Sequence, residues 1–289
     1  MKPLNNNNQE NDMLISKSNG ACGARIEGID LSQELSSEQV EQLRAAWLEH
    51  HVLAFPNQTL DDDDLERFSQ YFGTFAGDPY FPPIEGREYV AELRRAADET
   101  TPIFAEAWHS DWSFRADPPA GTILYGITIP PVGGNTDFIN LHKVLEDMPA
   151  DLRERLEGKI AQHSAKLAYA PDGLYGEREK DAKRGMKILY SEDAYHVETH
   201  PIIRKHPESG KEGVFGTIFG YIVGIEDTTP EEEQRLMEDL YNWQTRAEFQ
   251  YSHEWEPGML VMWDNRSVLH KANGGYEGHE RVLHRVVIN

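Results

Sequence analysis

Apolar positions along this chain recur at two periods, and the switches between them mark its elements. Residues 1–20 are polar and Asn-rich without periodicity, which reads as a loosely ordered tail. ARIEGIDL then shows the alternation of a short strand. Ser36, followed by Gln39, forms a capping-box pattern, and Val40, Leu43 and Trp47 recur behind it at helical spacing. HVLAFP reads as a buried strand, and Thr59 as the cap of a second helix carrying Leu65, Phe68 and Phe72 on one face. From Gly73 to Ala107 the pattern dissolves into Pro, Gly and charge, an excursion of the kind that commonly covers a site. GTILYGITI predicts a strand, PVGGNT a turn, and DFINLHKVLEDMPADLRERLEG a helical stretch interrupted at Pro149. Residues 160–212 carry no readable period. VFGTIFGYIVGI reads as an apolar strand bent at its glycines, and Thr229, Pro230 and Glu231 open a helix through Trp243. EFQYSHEW, GMLVMWD and RVLHRVVI close the chain as three strands. Strands in runs with helices gathered at a few insertions predict an α+β, mainly β fold with an antiparallel core.

Composition narrows the partners. A chain of 289 residues with 39% hydrophobic content suits one large core, so residues 21–289 are expected to form a single domain behind the tail. The net charge of −22 argues against nucleic acid and against an anionic membrane surface, both of which demand a basic footprint. No apolar run approaches the roughly 20 residues of a membrane span, and the N-terminal stretch is polar where a signal peptide is apolar, which predicts a cytoplasmic protein. Cys22 is the single cysteine and has no partner for a disulfide or a thiolate metal site. The run Asp61, Asp62, Asp63, Asp64 invites calcium, but carboxylates at a helix N-terminus already complement its dipole, and that is the preferred reading.

The chemistry concentrates in WHSDWSF and MWDNRSVLH. If the first segment is extended, His109 and Asp111 at i and i+2 face the same side. With His270, placed at a strand end before an Asn-Gly-Gly turn, they make two imidazoles and one carboxylate around an open coordination face, the donor set suited to non-haem Fe(II) oxygenases. The alternative for His109 is a core histidine, which leaves Asp111 as a costly unpaired buried charge. His50 and His51 end a helix, and His200 and His206 are expected to flank a turn; these are read as structural.

WHSD, PPAGTILYGITIPPVGGNTDFIN, HPIIRKHPESGKEGVF and WDNRSVLHKANGGYEGHERVLHRVVI together resemble the taurine and 2,4-dichlorophenoxyacetate dioxygenase family, from Ala24 nearly to the end. The resemblance implies a double-stranded β-helix, or jelly roll, with helical insertions, and a homo-oligomer, dimer or tetramer. It implies Fe(II) held by His109, Asp111 and His270, with 2-oxoglutarate as co-substrate and O2 and a small organic acid as the reacting partners, giving succinate and CO2. Arg281, eleven residues after His270, matches the arginine that pairs with the distal carboxylate of 2-oxoglutarate, and Thr136 the threonine that donates a hydroxyl to it. Arg285 lies four residues on and on the same strand face, matching a second arginine that meets an anionic group. Asp111 favours hydroxylation over halogenation, which in related folds needs a small residue at that place. Asp78 falls where the taurine enzyme has a histidine, which argues against taurine and for a zwitterionic, amino-acid-like substrate with its amine at Asp78 and its acid at Arg285. Tyr80, Phe81, Phe104, Phe219 and Tyr221 are candidates for the pocket wall. A metal-binding jelly roll without redox activity and a zinc hydrolase on the same three ligands are the competing readings, and Arg281 with Thr136 discriminates, because neither needs a carboxylate clamp.

Overall fold

A computed structural model describes residues 13–179 and 182–289. The tail expected over residues 1–20 therefore lies outside the described residues up to position 12, and beyond that it needs correction. Leu14–Lys17 (β1) pairs antiparallel with Ala24–Glu27 (β2). All four β1 residues are exposed, so this edge strand carries no burial alternation for a pattern to reveal.

The first helix, Ser37–His50 (α1), begins at the capping box of Ser36 and Gln39, and it buries Leu43 and Trp47 as the spacing predicts. Val52–Phe55 (β3) follows, buried at every position because both its faces are covered. The second helix, Asp62–Gln70 (α2), is capped by Asp61 and not by Thr59. The Asp61 carboxylate accepts from the Asp64 amide at 2.9 Å and Asp64 reciprocates, while Arg87 pairs with Asp63 and Glu66. Cap, dipole and ion pairs thus account for the aspartate run. The excursion after Gly73 is less irregular than expected, since it contains Ala91–Arg95 (β4).

Gly121–Thr128 (β5) forms as predicted. DFIN belongs to a strand, Thr136–Asn140 (β6), where a helix was expected. The helix begins only where the Asn140 side chain accepts from the amides of His142 and Lys143, giving Leu141–Glu146 (α3), and Pro149 starts Ala150–Leu156 (α4). The unassigned middle folds as Ile160–His163 (β7), Lys166–Tyr169 (α5), Glu198–Pro201 (β8) and Ile203–Lys205 (β9). VFGTIFGYIVGI is not one strand. Gly216, at φ +89°, breaks it, so Glu212–Val214 (β10) and Ile222–Ile225 (β11) join different sheets. Thr229 and Pro230 open Pro230–Gln244 (α6) as expected. The closing strands are Gln250–His253 (β12), Leu260–Asp264 (β13), Val268–Ala272 (β14) and Arg281–Ile288 (β15), so His270, expected at a strand end, lies in the middle of β14.

Among the described residues the protein is mainly β. A seven-stranded sheet, β1-β2-β3-β13-β5-β15-β4, faces a three-stranded sheet, β12-β6-β14. Strand parity explains what lies between them. Val52, Ala54, Leu124, Val261, Trp263 and Leu283 from the large sheet meet Phe138 and Val268 from the small one. The opposite residues, Leu53, Phe55, Ile123, Met262 and Val286, pack outward against Leu43, Trp47, Leu65 and Phe68 of α1 and α2. On the far side Ile139 and Leu269 of the small sheet pack against α3, α4 and α6. Helices, large sheet, small sheet and helices are thus stacked in order. The inner parity includes Thr122 on β5, Thr136 on β6, His270 on β14, and Arg281 and Arg285 on β15, so polar side chains enter an otherwise apolar interlayer along its length.

Candidate active site

His109 and Asp111 do not lie on a strand, contrary to the expectation. His109 makes an isolated antiparallel bridge with His270, each amide donating to the other's carbonyl, at 3.0 and 2.8 Å. The chain then turns, with Trp112 in the left-handed region at φ +46° and wholly buried. A bulky residue there costs of order 1–3 kcal/mol, and packing against Ala76 and Val287 holds it. The turn brings the Asp111 carboxylate round to the two imidazoles, so the pair converges by a bridge and a turn.

Asp111 Oδ1 lies 3.6 Å from His109 Nε2 and 3.8 Å from His270 Nε2. One ligand atom from each residue fits within 4.8 Å of the others, and all three residues are buried. His109 Nδ1 sits 2.9 Å from the Ala107 carbonyl, which fixes the tautomer that keeps Nε2 as a lone-pair donor. Burial lowers the pKa of both histidines, leaving them neutral. Burial alone raises that of Asp111, but Arg285, the histidines and the Thr122 hydroxyl outweigh it and bring it down to about 2. Neutral imidazoles and an ionised carboxylate are the protonation states that a divalent ion requires, so these residues fit Fe(II).

A cleft partly open to solvent contains these three residues together with Thr136, Arg281 and Arg285. Arg281 is half-buried with its Nε shut off from solvent, its nearest oxygen partner is the Gly134 carbonyl at 3.3 Å, and its Nε has no hydrogen-bond partner among the described residues. Burial lowers its pKa, with Tyr276 offsetting part of the effect. An orphaned guanidinium in a cleft is suited to an incoming carboxylate. Thr136 Oγ1 accepts from Trp255 Nε1 at 3.0 Å, leaving the threonine's own proton free to donate. Trp255 also stands 5.5 Å from the Arg281 guanidinium, so one ring supports both residues.

Arg285 is held between the rings of Phe81 and Trp112, at 5.5 and 5.1 Å. Its Nη2 is 3.3 Å from Asp111 Oδ2 and its Nη1 3.6 Å from Asp78 Oδ2. The other Asp78 oxygen accepts from the amides of Tyr80 and Phe81. Asp78 therefore faces Arg285 and not the cleft, which removes the ground for an amine contact there. Tyr80 stacks on Tyr169 at 3.9 Å and, with Phe81, supports the wall from behind. Phe104 lines both the cleft and an adjoining lobe that Tyr169, Tyr175, Tyr221 and Arg184 also line. Phe219 sits at the lobe's outer rim, 59% exposed, against Tyr241. Thr122, Trp255, Tyr169 and Tyr175 were missed. Thr122 had a signal, as a polar residue at an inward position of an apolar strand, whereas the others gave none. His206 and His200 are structural as expected: His206 Nε2 meets Asp264 at 2.8 Å and His200 Nε2 the Arg115 carbonyl at 2.9 Å.

A His-Asp-His cluster suited to a divalent metal, set in a cleft with two arginines between facing sheets, is the arrangement of a non-haem iron oxygenase. Residues 14–287 match the profile of the family described as taurine catabolism dioxygenase TauD, TfdA family, and the chain belongs to that family. An alkylsulfatase from Acinetobacter baylyi is 33% identical, covering 97% of this chain and 86% of that protein. An alpha-ketoglutarate-dependent sulfate ester dioxygenase from Pseudomonas putida is 31% identical, covering 93% and 87%. The crystal structure of a taurine dioxygenase from Burkholderia xenovorans matches with a TM-score of 0.77 at 29% identity, covering 96% of this chain and 89% of that one. The protein is a 2-oxoglutarate-dependent non-haem iron dioxygenase acting on small organic substrates with O2, and the redox-silent and hydrolase readings fall away. No helix among the described residues is long and apolar enough to cross a membrane.

Proposed function

We propose that the facing sheets are the two halves of a jelly-roll core forming one domain, and that the enzyme hydroxylates a small organic anion with an apolar body, a sulfate ester or an aryloxy or alkyl carboxylate. In this reading His109, Asp111 and His270 hold Fe(II) on one face, leaving the other to the co-substrates. Bound there, iron supplies the redox chemistry that couples O2 to oxidative decarboxylation of 2-oxoglutarate and to C–H hydroxylation. Arg281 clamps the distal carboxylate of 2-oxoglutarate, Thr136 donates its hydroxyl to the same group, and Trp255 holds that hydroxyl in its donating orientation. The aromatic lobe receives the substrate's apolar body and excludes water from the reacting face. A substrate body docked there lies beside His109, which lines both cavities.

The observation that carries the anion is the state of Arg285. Its charge is offset by two carboxylates and its Nη2 stands 3.3 Å from Asp111 Oδ2, yet Nε has no hydrogen-bond partner among the described residues and the Nη2 approach to Asp111 is an ion pair without hydrogen-bond geometry. Those two donors lie on one edge of the guanidinium, the fork that sulfate and carboxylate groups accept. The alkyl and sulfate ester names of the relatives support the same class. Succinate release and oxygen uptake across alkyl sulfates, aryloxy acids, amino acids and neutral analogues test the proposal in wild type and Arg285→Gln. Anions are expected to be the best substrates, with KM raised about tenfold or more in the variant, the loss typical of a charge-assisted contact. Neutral or purely cationic compounds turning over best, unaffected by Arg285→Gln, overturn it.

A further inference from the structure

Asp111 ends a one-way file of hydrogen bonds. Its Oδ2 accepts from Thr122 Oγ1 at 2.6 Å. That Oγ1 accepts from Asn265 Nδ2 at 2.9 Å, and Asn265 Oδ1 accepts from Trp263 Nε1 at 2.9 Å. The far end sets the direction of every link. An indole N–H only donates, so Asn265 must present its oxygen to Trp263 and its amide N–H to Thr122. Thr122 has a single hydroxyl proton, and with Asn265 donating to its oxygen that proton is directed to Asp111. Asn265 also accepts from Ser110 Oγ through its carbonyl and donates its amide to the Ala120 carbonyl, so it fixes the chain on both sides of the file. Thr122, Asn265 and Trp263 are at most 2% exposed, so water offers no substitute partner.

We propose that Trp263, Asn265 and Thr122 are positioning residues that confine Asp111 to metal binding through Oδ1 alone. A carboxylate that chelates with both oxygens occupies two positions on a divalent ion, and one that is held by its second oxygen occupies one. Oδ1 is the oxygen turned to His109 and His270, and Oδ2 is the one engaged by Thr122 and Arg285. The file therefore keeps a coordination position available that a free carboxylate would consume. This inference rests on the assignment of Asp111, His109 and His270 as the metal ligands.

The test uses Mn(II) as probe on the full chain, read by calorimetric affinity and by the ion's paramagnetic resonance spectrum. Thr122→Val keeps the shape and removes the donor, and Thr122→Ser keeps the donor. Thr122→Val is expected to let Oδ2 chelate, which alters the Mn(II) spectrum and shifts the ion's affinity, while Thr122→Ser stays close to wild type in both. Asn265→Leu, which frees the Thr122 hydroxyl to turn away, is expected to change spectrum and affinity in the same direction, and it decides by the same criterion if Thr122→Val does not fold. His270→Ala separates the two levels of inference. If it leaves Mn(II) binding intact, the ligand assignment is lost and this proposal with it. If it abolishes binding while Thr122→Val and Asn265→Leu keep wild-type affinity and spectrum, the assignment stands and the positioning file is overturned.

Discussion

Arg281 has the clearest energetic signature of any side chain in the cleft: a half-buried cation whose pKa is depressed by desolvation and whose Nε finds no partner among the described residues. Pairing it with a carboxylate converts a desolvation cost into a charge-assisted contact, so truncation is expected to cost roughly 2–5 kcal/mol of 2-oxoglutarate binding. Arg281→Ala should raise the KM for 2-oxoglutarate well over tenfold, and Arg281→Lys, which keeps the charge but loses the planar fork, should recover part of it. Succinate release titrated with 2-oxoglutarate measures this, and an unchanged KM in Arg281→Ala removes the clamp. Arg281, Thr136, His109, Asp111 and His270 were legible in the sequence because each is a chemically distinctive residue in a recognisable neighbourhood. Thr122 and Trp255 were not, since a threonine in a strand and a tryptophan near a turn are ordinary until pairing shows what they touch. Asp78 was misread for a related reason. Its partner is Arg285, more than two hundred residues away, and no local pattern predicts that contact.

Elements were readable where a local device marks them. The Ser36 box, the Thr229 cap with Pro230 behind it, and the continuous apolar run of β5 all form as their residues demand. Failures occurred where burial and local propensity disagree. DFIN was absorbed into the helical run that follows, although its pairing with β12 and β14 makes it the central strand of the small sheet. The strand β14 was read only as an end at His270, because Val268 to Ala272 mixes a histidine and a lysine into an apolar segment, and those residues are there for the site and for Asp137. The start of α2 offers a direct check on the cap. Asp61→Ala removes the oxygen that accepts from the Asp64 amide and should cost about 1 kcal/mol of stability, whereas Thr59→Ala should cost little. Denaturant midpoints of the two variants compare them, and a larger loss from Thr59→Ala would return the cap to the position expected from sequence.

The stacking of helices on both outer faces of two facing sheets leaves much of the protein's histidine content inside, and this governs how the whole fold responds to acid. His51 and His163 are pushed down to about 3 and His253 to about 4, in each case chiefly by burial. In the unfolded chain each titrates near 6.5. Between those values the unfolded state binds protons that the folded state does not, so stability falls as pH drops below about 6.5 and continues to fall until the folded pKa is reached. The loss is about 2 kcal/mol for each histidine between pH 7.5 and pH 5. One global effect opposes it. The chain carries −22 at neutral pH, and acidification toward its pI of about 4.9 relieves self-repulsion. That repulsion acts between exposed charges and is screened within about 8 Å at physiological ionic strength, whereas the desolvation of a buried imidazole is not. The histidines should therefore win in salt. Urea unfolding is expected to show lower stability at pH 5 than at pH 7.5 at physiological or higher salt, and His163→Gln, which removes one of the three groups, should flatten the dependence. Stability that rises steadily from pH 7.5 to pH 5 in salt, with the same slope in His163→Gln, would show that surface repulsion and not buried histidine sets the acid response.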